Sequence, residues 1–174
     1  MIKTPRFLLR PLTVSDVSER YLSWLSEDAA LRFIIAAGEE RGLEQLREYV
    51  ARRQKRDDVL FLGIFNLDGE HIGNVKYEPI DRELRSTVMG ILIGELSWRG
   101  KGVAGEVIHA SAQWLNRHSG IRSIVLGVDV DNLPAIAAYR KIGFIEKKTT
   151  LILNPESHLC TMVWNLEGSE DRIY

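Results

Sequence analysis

The spacing of apolar positions along this chain changes period several times, and each change marks an element. Phe7-Leu8-Leu9-Arg10-Pro11-Leu12 reads as an opening strand. Val17, Tyr21, Trp24 and Leu25 then recur at helical spacing, with Thr13 or Ser15 placed to cap that first helix. Gly38 to Gly42 breaks the chain, and Leu43, Leu46, Tyr49 and Val50 share one face of a second helix. Val59–Leu67 and Glu70–Pro79 follow as two strands joined by Asp68-Gly69, a dipeptide that supplies the positive φ values of a tight hairpin. A charged loop, Asp81 to Arg85, leads into the apolar run Val88-Met89-Gly90-Ile91-Leu92-Ile93.

Beyond that run the glycines of Arg99-Gly100-Lys101-Gly102-Val103-Ala104-Gly105 turn the chain into a strongly periodic helix, Val103 to His118. Val103, Val107, Ala110, Trp114 and Leu115 fall on one of its faces, and Glu106, His109, Gln113 and Arg117 on the other. Ile121–Val130 reads as a strand, Pro134–Ile142 as a helix, and the chain from Gly143 as two more strands turning near Asn154-Pro155-Glu156-Ser157. The order is β-α-α-β-β-β-α-β-α-β-β. With no internal repeat and no linker, it predicts one mixed α/β domain over residues 1–174.

Composition narrows the picture. A net charge of −1 over 174 residues lacks the basic excess of a general nucleic-acid binder. The one basic run, Arg52-Arg53-Gln54-Lys55-Arg56, meets Asp57-Asp58 at once and reads as a solvated helix end. Cys160 is the single cysteine, so no intrachain disulfide can form and a reducing, cytoplasmic setting is expected. It sits in the alternating run Leu159 to Trp164, where a structural role is expected rather than a nucleophilic one. No apolar stretch approaches the ~20 residues of a membrane helix, and Met1 to Arg6 does not lead into a signal-peptide core. No membrane or nucleic-acid partner is expected.

The glycine turn is the most informative chemistry. A strand that breaks at glycines and restarts as a helix leaves orphan N–H groups at the helix N-terminus, where the dipole also favours an anion, most often a phosphate. Arg99 and Lys101 add positive charge there. A mononucleotide loop, G-x-x-x-x-G-K-[ST], does not fit. Gly94 is one residue too far from Gly100, and Gly102 stands where Ser or Thr is required. A dinucleotide fingerprint, G-x-G-x-x-G, is satisfied by Gly100, Gly102 and Gly105, with Asp129 at the end of the next strand. Against it, Gly94 to Arg99 separate the apolar run from the first glycine, and only about seventy residues follow Gly105.

A second block, Asn132-Leu133-Pro134-Ala135-Ile136-Ala137-Ala138-Tyr139-Arg140-Lys141-Ile142-Gly143-Phe144, completes the third reading. Together the two blocks closely resemble the GNAT N-acetyltransferase superfamily. Its acyl-CoA loop, [QR]-x-x-G-x-[GA], is matched by Arg99, Gly102 and Ala104. Its strand–helix motif, N-x-x-A-x-x-x-Y-x-K-x-G-F, is matched by Asn132, Ala135, Tyr139, Lys141, Gly143 and Phe144. The resemblance is specific over about residues 88 to 145. Leu9-Arg10-Pro11, Tyr21-Leu22-Ser23-Trp24-Leu25 and Gly90-Ile91-Leu92-Ile93-Gly94 extend it toward the branch of ribosomal-protein alanine acetyltransferases. Amino-sugar acetyltransferases share that layout.

The resemblance implies an α/β domain whose sheet is splayed between the strands at 86–94 and 122–130, with acetyl-CoA as co-substrate and no metal. It implies that the amides of Arg99, Gly100, Lys101, Gly102, Val103, Ala104 and Gly105 cradle the CoA pyrophosphate. Ile91, Leu92 and Ile93 would pair their backbone with the pantetheine arm. Tyr139 would give a proton to the departing thiolate; spacing alone also fits a packed helix residue beside Ala135 and Ile142. Asn132 is either a pocket polar group or a helix cap before Pro134. Gly127 marks either a close approach to ligand or a bulge.

The activity implied is direct transfer of acetyl to a primary amine, an N-terminal α-amine or a small molecule such as an amino sugar, and the resemblance implies a homodimer. A non-catalytic acyl-CoA sensor is the alternative. Many relatives in that branch carry a glutamate two positions before the Gly90-Ile91 run, where this chain has Val88 between Thr87 and Met89. An acceptor of low basicity suits that loss: an α-amine titrates near ~8, a lysine-type amine near ~10.4. Asp129, Glu78, Tyr77 and His158 are the candidate replacement bases.

Overall fold

The computed structural model describes residues 1–26, 42–152 and 158–166. The break expected at Gly38 to Gly42 lies almost wholly outside them, and the turn expected at Asn154 to Ser157 entirely so. The strands are Ile2–Lys3 (β1), Phe7–Pro11 (β2), Leu60–Asn66 (β3), His71–Asp81 (β4), Ser86–Ile93 (β5), Ser123–Asp129 (β6), Ile145–Glu146 (β7) and Leu159–Asn165 (β8). They form one sheet in the order β1-β2-β3-β4-β5-β6-β8-β7. Every pair is antiparallel except β5–β6. The described α-helices are Glu19–Ser26 (α1), Leu43–Gln54 (α2), Val103–Ser119 (α3) and Leu133–Ile142 (α4). This is the single-chain GNAT-like α/β sheet that the two sequence blocks implied.

Alternation along the strands sends side chains into two cores. Leu62 and Ile64 of β3, Val75 and Tyr77 of β4, and Met89 of β5 join Val107, Ile108, Ala112 and Leu115 of α3 in the larger one. Phe61 and Leu92, one position out of phase, pack with Tyr21 and Trp24 of α1 and Leu46 and Val50 of α2. The sheet thus lies between α3 on one face and α1 with α2 on the other. At the β3–β4 turn Gly69 has φ +81°, and Asn66 Oδ1 accepts from the N–H groups of Asp68 and Glu70.

One feature of the sheet positions everything that follows. β5 and β6 pair only at Ser86–Ser123, Thr87–Ile124 and Val88–Val125. β5 runs on to Ile93 and β6 to Asp129 without each other, so the sheet splits after Val88, as expected for strands at 86–94 and 122–130. On β4, the register shifts between Tyr77 and Ile80. Pro79 lies in that shift, where a residue with no N–H is tolerated.

Three expectations need correction. The first helix does not start at Thr13 or Ser15. Asp16 accepts from Thr13 N at 2.8 Å and Thr13 Oγ1 at 2.7 Å, closing a single 3-10 turn at Val14–Asp16. Ser18 Oγ, accepting from Tyr21 N at 3.2 Å, caps α1 instead. An extra strand, β1, lies against β2 through Ile2–Leu9 and Lys3–Leu8, too short to show any alternation in sequence. On α3 the buried stripe is Val103, Val107, Ile108, Ser111, Ala112 and Leu115. Ala110 and Trp114 sit at its margin, with Trp114 stacked on His118 at 4.4 Å. Ring size made Trp114 look like core, but the sheet meets a stripe rotated away from it.

Candidate active site

Two cavities open on the split sheet. The first, about 1110 Å³, runs between the end of β5, the start of α3, β6 and α4. Its floor is Ile91, Leu92 and Ile93. One wall is Arg99, Gly100 and the N-terminal residues Gly102 to Glu106, and the other is Asn132 to Ile142. The second, about 280 Å³, lies on the α1–α2 face beneath β4 and β5. Ile91, Leu92, Gly127 and Tyr139 line both. The split between β5 and β6 therefore joins two spaces that approach one point from opposite sides.

The turn into α3 is built for main-chain recognition. Gly100 and Gly102 have φ of +73° and +74°, a left-handed conformation that a side chain strains. A Cβ on Gly100 or Gly105 would touch no protein atom within 4 Å. Helical bonding starts late: Glu106 N reaches Gly102 O at 3.2 Å, leaving the N–H groups of Val103, Ala104 and Gly105 at the cleft wall. The helix dipole adds its positive end there.

The two cations of the turn act differently from what their charge suggested. Arg99 donates through Nε to Ile93 O at 2.8 Å and through Nη2 to Gly94 O at 3.0 Å, so its guanidinium ties the turn to the end of β5. Lys101 does not line the cleft. Its carbonyl accepts from Arg6 Nη1 at 3.0 Å, and its ammonium lies 5.7 Å from the Trp98 ring centre. The remaining expected site residues, from Ile91 to Ile93, across the turn, and on to Asn132 and Tyr139, do meet in one cleft.

Sequence reasoning missed Lys3, Thr4 and Pro5, which carry no motif and arrive through β1. It also missed Gln113 and Lys141, although Lys141 stands inside the Asn132–Phe144 block. Glu106, read only as a residue of the helix's other face, accepts from Thr4 Oγ1 at 2.6 Å and Arg6 Nε at 2.7 Å, anchoring the N-terminal segment to α3. His109, read likewise, lines the cleft with its ring edge-on to Trp164 at 5.0 Å.

Tyr139 stands where the cavities join, its ring 5.7 Å from Phe144. Burial pushes its phenol up to about 12, so it stays protonated through the neutral range. Asn132 caps α4 by accepting from Ala135 N at 3.3 Å while also lining the cleft. Gly127 is not a bulge: the β6–β8 register runs unbroken from Ser123–Asn165 to Asp129–Leu159. A Cβ there would meet only Ile152 Cδ1 at 3.5 Å, so its lack of side chain leaves the junction open.

The second cavity carries the charge. Glu78 accepts from Arg53 Nε at 2.8 Å and Lys76 Nζ at 2.9 Å, and from Arg56 as well. Burial would raise its carboxyl, but Lys76 and Arg53 hold it below the ordinary glutamate value. The Arg53 guanidinium also lies 3.3 Å over the Tyr49 ring. A carboxylate held ionised by three cations is a weak base, which argues against Glu78 in that role.

The other candidate bases fare no better. Tyr77 is fully buried on the opposite face, its hydroxyl 2.7 Å from Ser111 Oγ, and burial drives its phenol upward. Asp129 and His158 line neither cavity. Val88 lines the second cavity as an apolar residue. Cys160 lies in β8 opposite Val128 and lines neither cavity, its thiol raised by burial and by Glu146. Among the described residues no three potential ligands form a metal cluster, and no helix is long and apolar enough to cross a membrane.

Known proteins resemble this chain in sequence and in fold. Over 104 residues the chain is 34% identical to a mycothiol acetyltransferase of Corynebacterium glutamicum (strain R), covering 55% of this chain and 32% of that one. Over 80 residues it is 32% identical to the L-amino acid N-acetyltransferase AaaT of Escherichia coli (strain K12), covering 45% and 49%. The chain thus spans about a third to a half of the length of these relatives. Among solved structures, the spermidine N-acetyltransferase from Vibrio cholerae in complex with CoA and spermine superposes with a TM-score of 0.79 at 19% identity, over 92% of this chain and 95% of that one. The family model described as Acetyltransferase (GNAT) domain matches residues 6–145, from β2 through the glycine turn to Tyr139 and β7. By that match, which takes in the split sheet and the turn at its mouth, the chain belongs to the GNAT acetyltransferase family.

Proposed function

We propose that residues 1–174 act as one acetyl-CoA-dependent N-acetyltransferase domain that moves acetyl directly to a primary amine, an N-terminal α-amine or a small-molecule amine such as an amino sugar. The observation that carries this is the meeting of two cavities at Ile91, Leu92, Gly127 and Tyr139. Acetyl-CoA would lie in the larger one. The amides of Val103, Ala104 and Gly105, with the glycine turn before them, suit its pyrophosphate, and the edge of β5 beyond Val88, which has no strand partner on the β6 side, suits an extended amide-bearing arm.

The amine nitrogen, entering from the second cavity, attacks the thioester carbon. A C–N bond forms, the C–S bond breaks, the nitrogen loses a proton to water and the sulfur takes one from water. Tyr139 is the residue aimed at that sulfur. Its phenol, at about 12, holds its proton more tightly than a thiol of ~8.5, so its contribution is a hydrogen bond to the developing thiolate rather than outright transfer. Among the described residues no free carboxylate reaches the acceptor, so the amine must arrive neutral or lose its proton to water. The thiol of Cys160, raised by burial, favours transfer without an acetyl-enzyme. The branch of ribosomal-protein alanine acetyltransferases, a reducing cytoplasmic setting and a homodimer belong to the same reading.

A sensor that holds acyl-CoA without turnover would not require an acceptor cavity continuous with the cleft. Thiol release from acetyl-CoA, followed against an N-terminal peptide, a polyamine and a 4-amino sugar nucleotide, tests the proposal. Release with an acetylated amine as product supports it. Calorimetric binding of acetyl-CoA with no release for any amine would leave the sensor reading in its place.

A further inference from the structure

We propose that the acceptor amine also carries an anionic group, a carboxylate or a phosphate, and that Lys76 and Asn74 hold it. This rests on the acetyltransferase reading and names the class of its second substrate. Asn74 and Lys76 stand two positions apart on β4, so they share a face, and both line the second cavity.

Asn74 is 4% exposed. Its Oδ1 lies 2.8 Å from His71 Nε2, which is also 3.0 Å from Gly73 O. A carbonyl cannot donate, so Nε2 carries the proton and Asn74 must turn its oxygen toward it. That leaves Asn74 Nδ2 as a buried donor with no protein partner, a state that costs free energy until an acceptor atom fills it. Lys76 has three N–H donors. One goes to Tyr49 Oη at 2.6 Å and one to Glu78 Oε2 at 2.9 Å, leaving the third for the cavity among the described residues. Gly90 pairs with Lys76 across the strands, and a Cβ there would meet nothing within 4 Å, so no side chain screens the ammonium.

The charge balance among the described residues favours an anion over a second ammonium. Lys76, Arg53 and Arg56 converge on Glu78, and Asp58 takes the other edge of Arg56 at 2.7 Å. Of these only Lys76 and Glu78 line the cavity, and the Glu78 carboxylate is already engaged by all three cations. A second ammonium on the acceptor would meet the Lys76 ammonium and, among the described residues, no open carboxylate, whereas an anion meets that ammonium and the unpartnered Asn74 amide. At about 280 Å³ the space suits a small molecule.

The test uses four acceptors of matched length with acetyl-CoA: an amino carboxylate, its carboxamide, an aminoalkyl phosphate and an α,ω-diamine. The better of the two anions is expected to exceed the carboxamide in kcat/KM by about ten- to hundredfold, the size of a charge-assisted hydrogen bond, with the diamine lowest. Preference between carboxylate and phosphate identifies which anion is meant. Lys76→Met, which leaves Glu78 to Arg53 and Arg56, should raise KM for the anionic acceptor to the level of the carboxamide, and Lys76→Arg should restore most of the preference. Equal use of carboxamide or diamine, or an equal loss for all acceptors in Lys76→Met, overturns the inference. So does acetyl-CoA binding with transfer to none of the four, which leaves the wider acetyltransferase reading standing. Failure of the wild type to bind acetyl-CoA at all overturns both.

Discussion

The two cavities that meet at Tyr139 are made of different material. The larger is walled by main chain and small or apolar side chains: a turn with two left-handed glycines, the first N–H groups of α3, and the uncovered edge of β5. The smaller is walled by side chains from α1, α2, β4 and β5, with Glu78 caged by Arg53, Lys76 and Arg56 at its edge. Main-chain recognition suits a co-substrate whose amides and phosphates are fixed across a family. Side-chain recognition suits a second substrate that differs from member to member. Proteins similar to this chain are named for mycothiol, L-amino acids and spermidine, so the acceptor is the substrate that differs among them.

The junction is where the contrast can be broken most sharply. Tyr139→Phe is expected to lower kcat by about 10²–10³, the cost of losing one well-placed donor to developing charge. The acetyl-CoA affinity should hold, because the ring and its packing on Phe144 remain. Steady-state rates with chemistry shown to be rate-limiting check this. A loss within about twofold would return Tyr139 to a packing role.

On the larger side, Gly102→Val should weaken acetyl-CoA binding by about tenfold or more. A β-branched residue at φ +74° is strained by roughly 1–2 kcal/mol and its methyls crowd the free amides. Lys101→Ala, exposed and outside the cleft, should change affinity by less than about threefold. Equal losses by calorimetry would mean that side-chain charge, not main chain, holds the anion.

The smaller side gives a pH test. Burial favours the neutral Glu78 carboxyl, but Lys76 and Arg53 outweigh it and hold the value below that of a free glutamate. Because the folded value is the lower one, its stabilisation is fully present above about pH 4.3 and is lost as pH falls below that. The rate should therefore show no Glu78 ionisation above about pH 5. An inflection between about pH 5 and 8 that vanishes in Glu78→Gln would make Glu78 the base after all.

A several-fold effect is expected at Arg99. Arg99→Lys keeps the charge but cannot hold Ile93 O and Gly94 O with a planar fork. It should cost several-fold in acetyl-CoA affinity, nearly as much as Arg99→Ala. Full retention by lysine would assign Arg99 to the phosphate directly.

Local physics made the larger cavity legible in sequence. A left-handed turn needs glycine, a helix N-terminus exposes donors, and both leave fixed spacings, so Gly100, Gly102 and Gly105 could be read before any fold was known. The helix with Tyr139 came with the block beginning at Asn132, whose cap on Ala135 is again a bond within three residues. Long apolar periods likewise gave most elements, while β1, two residues long, had no period to read. The face of α3 was misjudged because its stripe is set by where the sheet lies, not by which residue is largest.

What only the tertiary structure decided is everything that depends on residues far apart in the chain. The split after Val88 reflects which strand pairs end where. Arg99 became a tether because β5 ends beside it. Glu78 could be called a base until Arg53, 25 residues upstream in α2, came within 2.8 Å of it. Asn74 became an orphan donor only once His71 and Gly73 fixed which way its amide turns. Sequence encodes dihedral preference and donor supply position by position. Charge pairing, desolvation and the meeting of two cavities are set by distances that exist only when the sheet and its helices have closed around them.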